Sequence, residues 1–140
     1  MHFRSNDLVQ ATFLDDPIII AIDGPAASGK GTLVRNLAKR FHLKHLDTGA
    51  LYRGLAHLVL KTKKSPDDPD DVQGILPLFL RQLTPTALEN PALREDQVGS
   101  AASKVAAMPA VRSALLDYQQ NFHTTCTAKD NGVVLDGRDV

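Results

Sequence analysis

The stretch PIIIAIDGPAASGKGTLVRNLAKRF, residues 17–41, decides the fold. It opens with five apolar residues, 18–22, that run into Asp23 and Gly24. A short unbroken apolar run of this kind predicts a strand buried on both faces, as in a parallel sheet. From Gly29 the period changes. Leu33, Val34, Leu37, Ala38 and Phe41 fall on one helical face, with Lys39 and Arg40 near the end where cations suit the helix dipole. Between strand and helix lie Gly24, Pro25, Ala26, Ala27, Ser28, Gly29, Lys30, Gly31 and Thr32, with the spacing G-x-x-x-x-G-K. A phosphate chain needs unhindered backbone N–H groups, a helix N-terminus aimed at it and a mobile cation. Gly24 and Gly29 allow close backbone approach, and Lys30 has the reach for β- and γ-phosphates. A turn that only joined strand to helix would not ask for a lysine there.

Working outward, residues 43–47 read as a short second strand. Leu51, Leu55, Leu58 and Val59 follow at helical spacing, with Thr48 as the expected N-cap. Asp67, Asp68, Asp70 and Asp71, with Pro66 and Pro69 among them, end that helix and read as solvated surface. Residues 72–83 are mostly apolar but contain Gly74 and Pro77, which predicts a kinked or broken helix. Residues 84–94 read as loop. Val98, Ala101, Ala102 and Val105 mark another helix, and Pro109 opens the next at a first-turn position. Val111, Leu115 and Phe122 mark its buried face, and residues 132–136 read as a third strand. Strand, glycine-rich turn, helix and strand make a right-handed βαβ unit, so the class is α/β, with a parallel sheet and flanking helices. Residues 1–16 show no sustained periodicity and read as an N-terminal tail.

With 140 residues, 43% of them hydrophobic and 23% charged, the chain is one soluble globular domain's worth of sequence, not a disordered one. Sixteen Lys+Arg against sixteen Asp+Glu leave no basic excess for holding nucleic acid. The longest apolar run is too short to span a membrane, and acidic residues interrupt any N-terminal signal sequence, so a cytoplasmic protein is expected. Cys126 is the single cysteine and reads as an inert thiol; the five histidines show no ligand spacing, so no resident metal cluster is expected. Charge is nonetheless uneven. Nine Lys/Arg and one acid, Asp47, lie between Lys30 and Lys64.

Three further segments narrow the reading. Residues 46–53, LDTGALYR, resemble the L-D-[ST]-G-A-x-Y-R segment of bacterial cytidylate kinases. Residues 101–106, AASKVA, with Val111 and Arg112, resemble that family's A-A-S-x-V-A…V-R stretch, and residues 135–139, LDGRD, its D-G-R-D turn. The G-K-G-T ending of the glycine-rich loop is likewise similar to nucleoside monophosphate kinases. The resemblance implies a P-loop NTPase-type fold over 17–140, with a core at 17–64 and 109–140 and an acceptor-binding insert at about 65–108. It implies transfer of phosphate from ATP, with Mg2+, to CMP or dCMP, in a monomeric enzyme that handles small nucleotides. It also implies a sheet ordered 2-3-1-4-5 and members that continue beyond the D-G-R-D turn. On that reading this chain stops before a lid and two strands, and its own activity is doubtful. The alternatives are a nucleotide-binding fragment without transferase activity, or a kinase of another small acceptor such as shikimate.

By the same resemblance, residues 24–32 bind the donor, with Lys30 and Arg138 in catalytic roles. Asp23, Thr48, Arg53, Ser103, Arg112, Arg138 and Asp139 bind the acceptor. Read as residues alone, Arg53 is either a fork for a monophosphate or a surface arginine. Arg138 follows a strand end, where ligands collect in open α/β sheets. Tyr52 is open to core packing. Cytosine offers an amine donor beside two acceptors, which suits a carboxylate with Arg or hydroxyl donors; by the resemblance Ser103, Arg112 and Asp139 supply that set, while taken singly they read as a helix-surface Ser and Arg and a loop-capping Asp. Gly31 stands where the strict loop pattern has Ser or Thr. That leaves Thr32 two roles, as metal ligand or phosphate contact.

Overall fold

The computed structural model describes residues 17–24 and 29–137. The expected tail at 1–16, together with Pro25, Ala26, Ala27, Ser28, Arg138 and Asp139, lies outside the described residues. The elements run β1 (Ile18–Asp23), α1 (Lys30–Phe41), β2 (Leu43–Asp47), α2 (Thr48–Lys61), α3 (Pro69–Gln82), α4 (Asp96–Ala106), α5 (Pro109–Gln120) and β3 (Gly132–Gly137). Short 3-10 turns occupy Ala87–Glu89, Pro91–Arg94 and Phe122–Thr125. No described helix is long and apolar enough to cross a membrane.

Two compact units emerge. One is built from residues up to 46 together with those from 121 onward; the other is residues 47–120. In the first, the sheet order is β1-β3-β2, as the resemblance implies, and β1 runs parallel to β3 in a register pairing Ile18 with Gly132 and Asp23 with Gly137. β3 is buried at every position. β1 departs from expectation. Ile18, Ile20 and Ile22 pack around Val34, Leu43 and Val134 with Ala38 and Phe41, but the other face is open and Ile19 is 56% exposed. An apolar run tells that a segment is a strand, not whether it is central. Among the described residues β1 is an edge, covered on one face only.

The second unit is helical. α2 packs chiefly on α4, where Ala101 and Ala102 are small enough for close approach, and α3 and α5 complete the core with Val72, Leu76, Phe79, Val111 and Leu115. Phe122, expected on α5's buried face, is buried in the 3-10 turn that follows. α3 also departs from expectation, because it runs without a break through Gly74 and Pro77. Its start is strong: Asp68 caps Asp70 N at 3.0 Å, and Pro69 fills the first turn, followed by Asp70 and Asp71. Pro77 is exposed, and so is Gln73, whose carbonyl loses a helical partner and is free to bond water. The segment expected as loop at 84–94 holds two 3-10 turns, the second capped by Asn90, which accepts from Ala92 N at 3.0 Å.

Candidate functional site

The described donor-side residues, Gly24 and Gly29 to Thr32, belong to the sheet-bearing unit. Gly24 N donates to Gly137 O at 3.1 Å, so the exit of β1 is tied to the end of β3. Gly29 is the N-cap of α1 at φ 81°, a left-handed conformation that favours glycine. It offers no side chain to cap the first N–H groups of the helix. Lys30, Gly31 and Thr32 form the first turn, with no acid among them. Arg35 Nη2 donates to Thr32 Oγ1 at 3.4 Å. The order fits an anion: backbone donors, the positive end of a helix and cations.

In the same unit, the sheet carries a pair that the sequence did not reveal. Asp136, on the central strand opposite Ile22, is only 6% exposed, and His45 of β2 places Nε2 3.3 Å from its Oδ1. His45 is one of the five histidines whose spacing carries no ligand pattern. The available signal was its position two residues before the end of a strand, where side chains on one sheet face converge on a ligand side.

Of the residues expected at the acceptor, Thr48, Arg53, Ser103 and Arg112 belong to the helical unit, and Asp23 belongs to the sheet-bearing one. Asp47, not Thr48, caps α2: its Oδ1 accepts from Ala50 N at 3.3 Å. Asp47 sits one residue earlier in an extended conformation, from which a carboxylate reaches the third helical N–H. Thr48 is instead the first helical residue and is buried at 4% exposure. Asp47 Oδ2 accepts from Arg53 Nη2 at 3.2 Å. Arg53 Nε is buried with no hydrogen-bond partner among the described residues. A buried donor left unmade costs about 1–3 kcal/mol.

The base-reading candidates lie further along the same unit. Ser103, exposed on α4, bonds back to Gly99 O at 3.3 Å, and Lys104 beside it pairs with Asp67 at 3.2 Å. Arg112 of α5 reaches Ala106 O at the end of α4 (3.5 Å), so Arg112 and the Ser103 turn share one end of that helix. Asp23 ends β1 and is exposed. Among the described residues no cluster of three His, Cys, Asp or Glu is placed to hold a metal ion alone.

These segments match known proteins as a set. A model of the family described as cytidylate kinase matches residues 20–140. The chain belongs to the cytidylate kinase family. It is 50% identical over 123 residues to the cytidylate kinase of Granulibacter bethesdensis, covering 88% of this chain and 54% of that protein. Over the same length it is 46% identical to that of a Bradyrhizobium species, with 88% and 54% covered, and 49% identical to that of Rhodospirillum rubrum, with 88% and 56%. The chain thus spans about half the length of the curated cytidylate kinases it matches.

Proposed function

We propose that the protein transfers the γ-phosphoryl group of ATP to CMP or dCMP, giving ADP and CDP or dCDP. The observation that carries this reading is the Gly29–Lys30 helix start at the end of β1, in a chain of this family. Lys30 and the first N–H groups of α1 neutralise the donor's phosphates. Arg53, held by Asp47 through Nη2, presents its Nε–H and remaining donors to the acceptor's phosphate, with Arg138 as the second arginine. Ser103, Arg112 and Asp139 read cytosine, and residues 65–108 serve as the acceptor-side segment. An acceptor oxygen attacks γ-phosphorus in line as its bond to the ADP oxygen breaks. No general base is needed, because a phosphate monoester with a second pKa of about 6 is already mostly ionised at neutral pH. Positioning and charge neutralisation supply the catalysis.

The residues present fit Mg2+. The Thr32 hydroxyl and the buried Asp136 carboxylate are hard oxygen donors, the kind this ion takes alongside water and substrate phosphates. When bound, the ion would screen charge on the donor's phosphates. A cytoplasmic, monomeric enzyme acting on small nucleotides is the setting this reading implies.

The test is ADP formation by the intact protein across an acceptor panel of CMP, dCMP, UMP, AMP and shikimate. Turnover is expected with the cytosine nucleotides, and loss of both turnover and ATP binding in Lys30→Ala. ATP binding without turnover of any acceptor would replace the reading with a nucleotide-binding module. Preferred turnover of shikimate would replace the acceptor.

A further inference from the structure

Two helices of this protein begin alike. In α1 the second helical residue is glycine and the sixth is arginine, Gly31 and Arg35; in α2 the same places hold Gly49 and Arg53. Each guanidinium lies back over its glycine. A methyl on Gly31 would come within 3.3 Å of Arg35 Nη1, and one on Gly49 within 3.0 Å of Arg53 Nη1. Helical side chains lean toward the N-terminus, and a glycine four residues earlier removes the side chain that would stand in the way. The result is a cation brought to the positive end of its own helix. That placement is unfavourable by itself, since helix N-termini prefer anions.

The two ends differ in how the cation is answered. At α2, Asp47 in the N-cap position supplies a carboxylate to Arg53 at 3.2 Å. At α1 the N-cap is Gly29, the first turn holds no acid, and no carboxylate pairs with Arg35 among the described residues. Its partner is the hydroxyl of Thr32, itself on the first turn beside Lys30. The departure from the strict loop pattern also gains a reason: a side chain at position 31 would press on the space that the Arg35 guanidinium fills.

We propose that Arg35 is a second side-chain cation for the donor, contacting an oxygen of its phosphate chain beside Thr32. This rests on the reading of residues 24–32 as the donor site. The test is calorimetric titration of ATP, inorganic tripolyphosphate and CMP into the intact protein and its Arg35→Ala, Arg35→Lys and Lys30→Ala variants. Arg35 is exposed, so its variants are expected to keep the wild-type circular dichroism and melting temperature. Arg35→Ala should weaken ATP and tripolyphosphate about tenfold, the effect of one hydrogen bond to a charged group, and leave CMP unchanged. Arg35→Lys should recover part of the loss. Unchanged ATP affinity in Arg35→Ala, with ATP binding lost in Lys30→Ala, would overturn this proposal alone. An equal loss for CMP would overturn it too, because the effect would not be a donor contact. Unchanged ATP affinity in Lys30→Ala would overturn the donor-site reading and this proposal with it.

Discussion

Asp47 serves Arg53 and its own helix with one carboxylate: Oδ1 accepts from Ala50 N at 3.3 Å and Oδ2 accepts from Arg53 Nη2 at 3.2 Å. Serine is an equally good N-cap but too short to reach the guanidinium, so Asp47→Ser separates the two roles. The pair is partly exposed, 39% for the Asp47 side chain and 27% for Arg53, so its worth is set at about 1 kcal/mol. Asp47→Ser should lower the melting temperature by only a few degrees and raise KM for CMP about fivefold, with KM for ATP unchanged. An unchanged KM for CMP would show that Arg53 does not need the carboxylate.

Gly49 leaves the space that this arginine uses. An added methyl would lie 3.0 Å from Arg53 Nη1 and 3.3 Å from Asp47 Oδ1. The guanidinium is the far end of a flexible side chain, so Gly49→Ala should fold and displace it. KM for CMP should rise with little change in melting temperature. Because both substitutions act on Arg53, Asp47→Ser combined with Gly49→Ala should cost less than the sum of the two. Additive losses would mean that the two residues act independently.

Gly54 faces a less forgiving neighbour. A Cβ there would meet Phe79 Cε1 at 3.0 Å and Cζ at 3.2 Å, and Phe79 is a core residue at 6% exposure. Overpacking costs about 1–3 kcal/mol, which outweighs the gain of up to ~1 kcal/mol from replacing a helical glycine. Gly54→Ala should therefore lower stability by about 1 kcal/mol in urea unfolding. Phe79→Leu in the same chain should relieve part of it. A melting temperature above wild type would show that α3 yields without strain.

The Cys126 thiol donates to Gly132 O at 3.5 Å, and its pKa is raised, first by burial and then by the nearby Asp130 charge, with Lys44 opposing. Both leading causes disfavour the thiolate, the form that reacts. Iodoacetamide should modify it more slowly than a free cysteine at pH 8, and the rate should rise only above the usual thiol range. Asp130→Asn should shift that profile down in pH. A profile unmoved by Asp130→Asn would remove the charge from the account.

Much of this was legible because it is local. The change from strand to helix at Gly29, the apolar faces of α2, α4 and α5, and the loop spacing around Lys30 are all contained in short windows. Thr48 was mistaken for a cap because Ser, Thr and Asp compete for that role, and only backbone conformation decides between neighbours. α3 was expected to break because the proline penalty depends on which face the freed carbonyl takes, and sequence does not give faces before packing does. The His45–Asp136 pair joins residues of two strands far apart in the chain. The placement of the Arg35 guanidinium was not legible either, because it depends on a side chain folding back over a glycine.

The division of the chain also has a consequence for the order in which it takes shape. The helical unit is one continuous stretch, 47–120, whereas the sheet is stitched from both sides of it, Ile18 pairing with Gly132. During synthesis β1 emerges early and waits for β3 until the whole helical stretch has followed it. Contacts near in sequence form quickly, and the closure of a long loop comes late. Pulsed hydrogen exchange should therefore protect amides of α2 and α4 before those of β1 and β3. The Gly24–Gly137 bond that ties the exit of β1 to the end of β3 would then close among the last contacts of the protein, so the proposed donor site would be completed only when folding is nearly done.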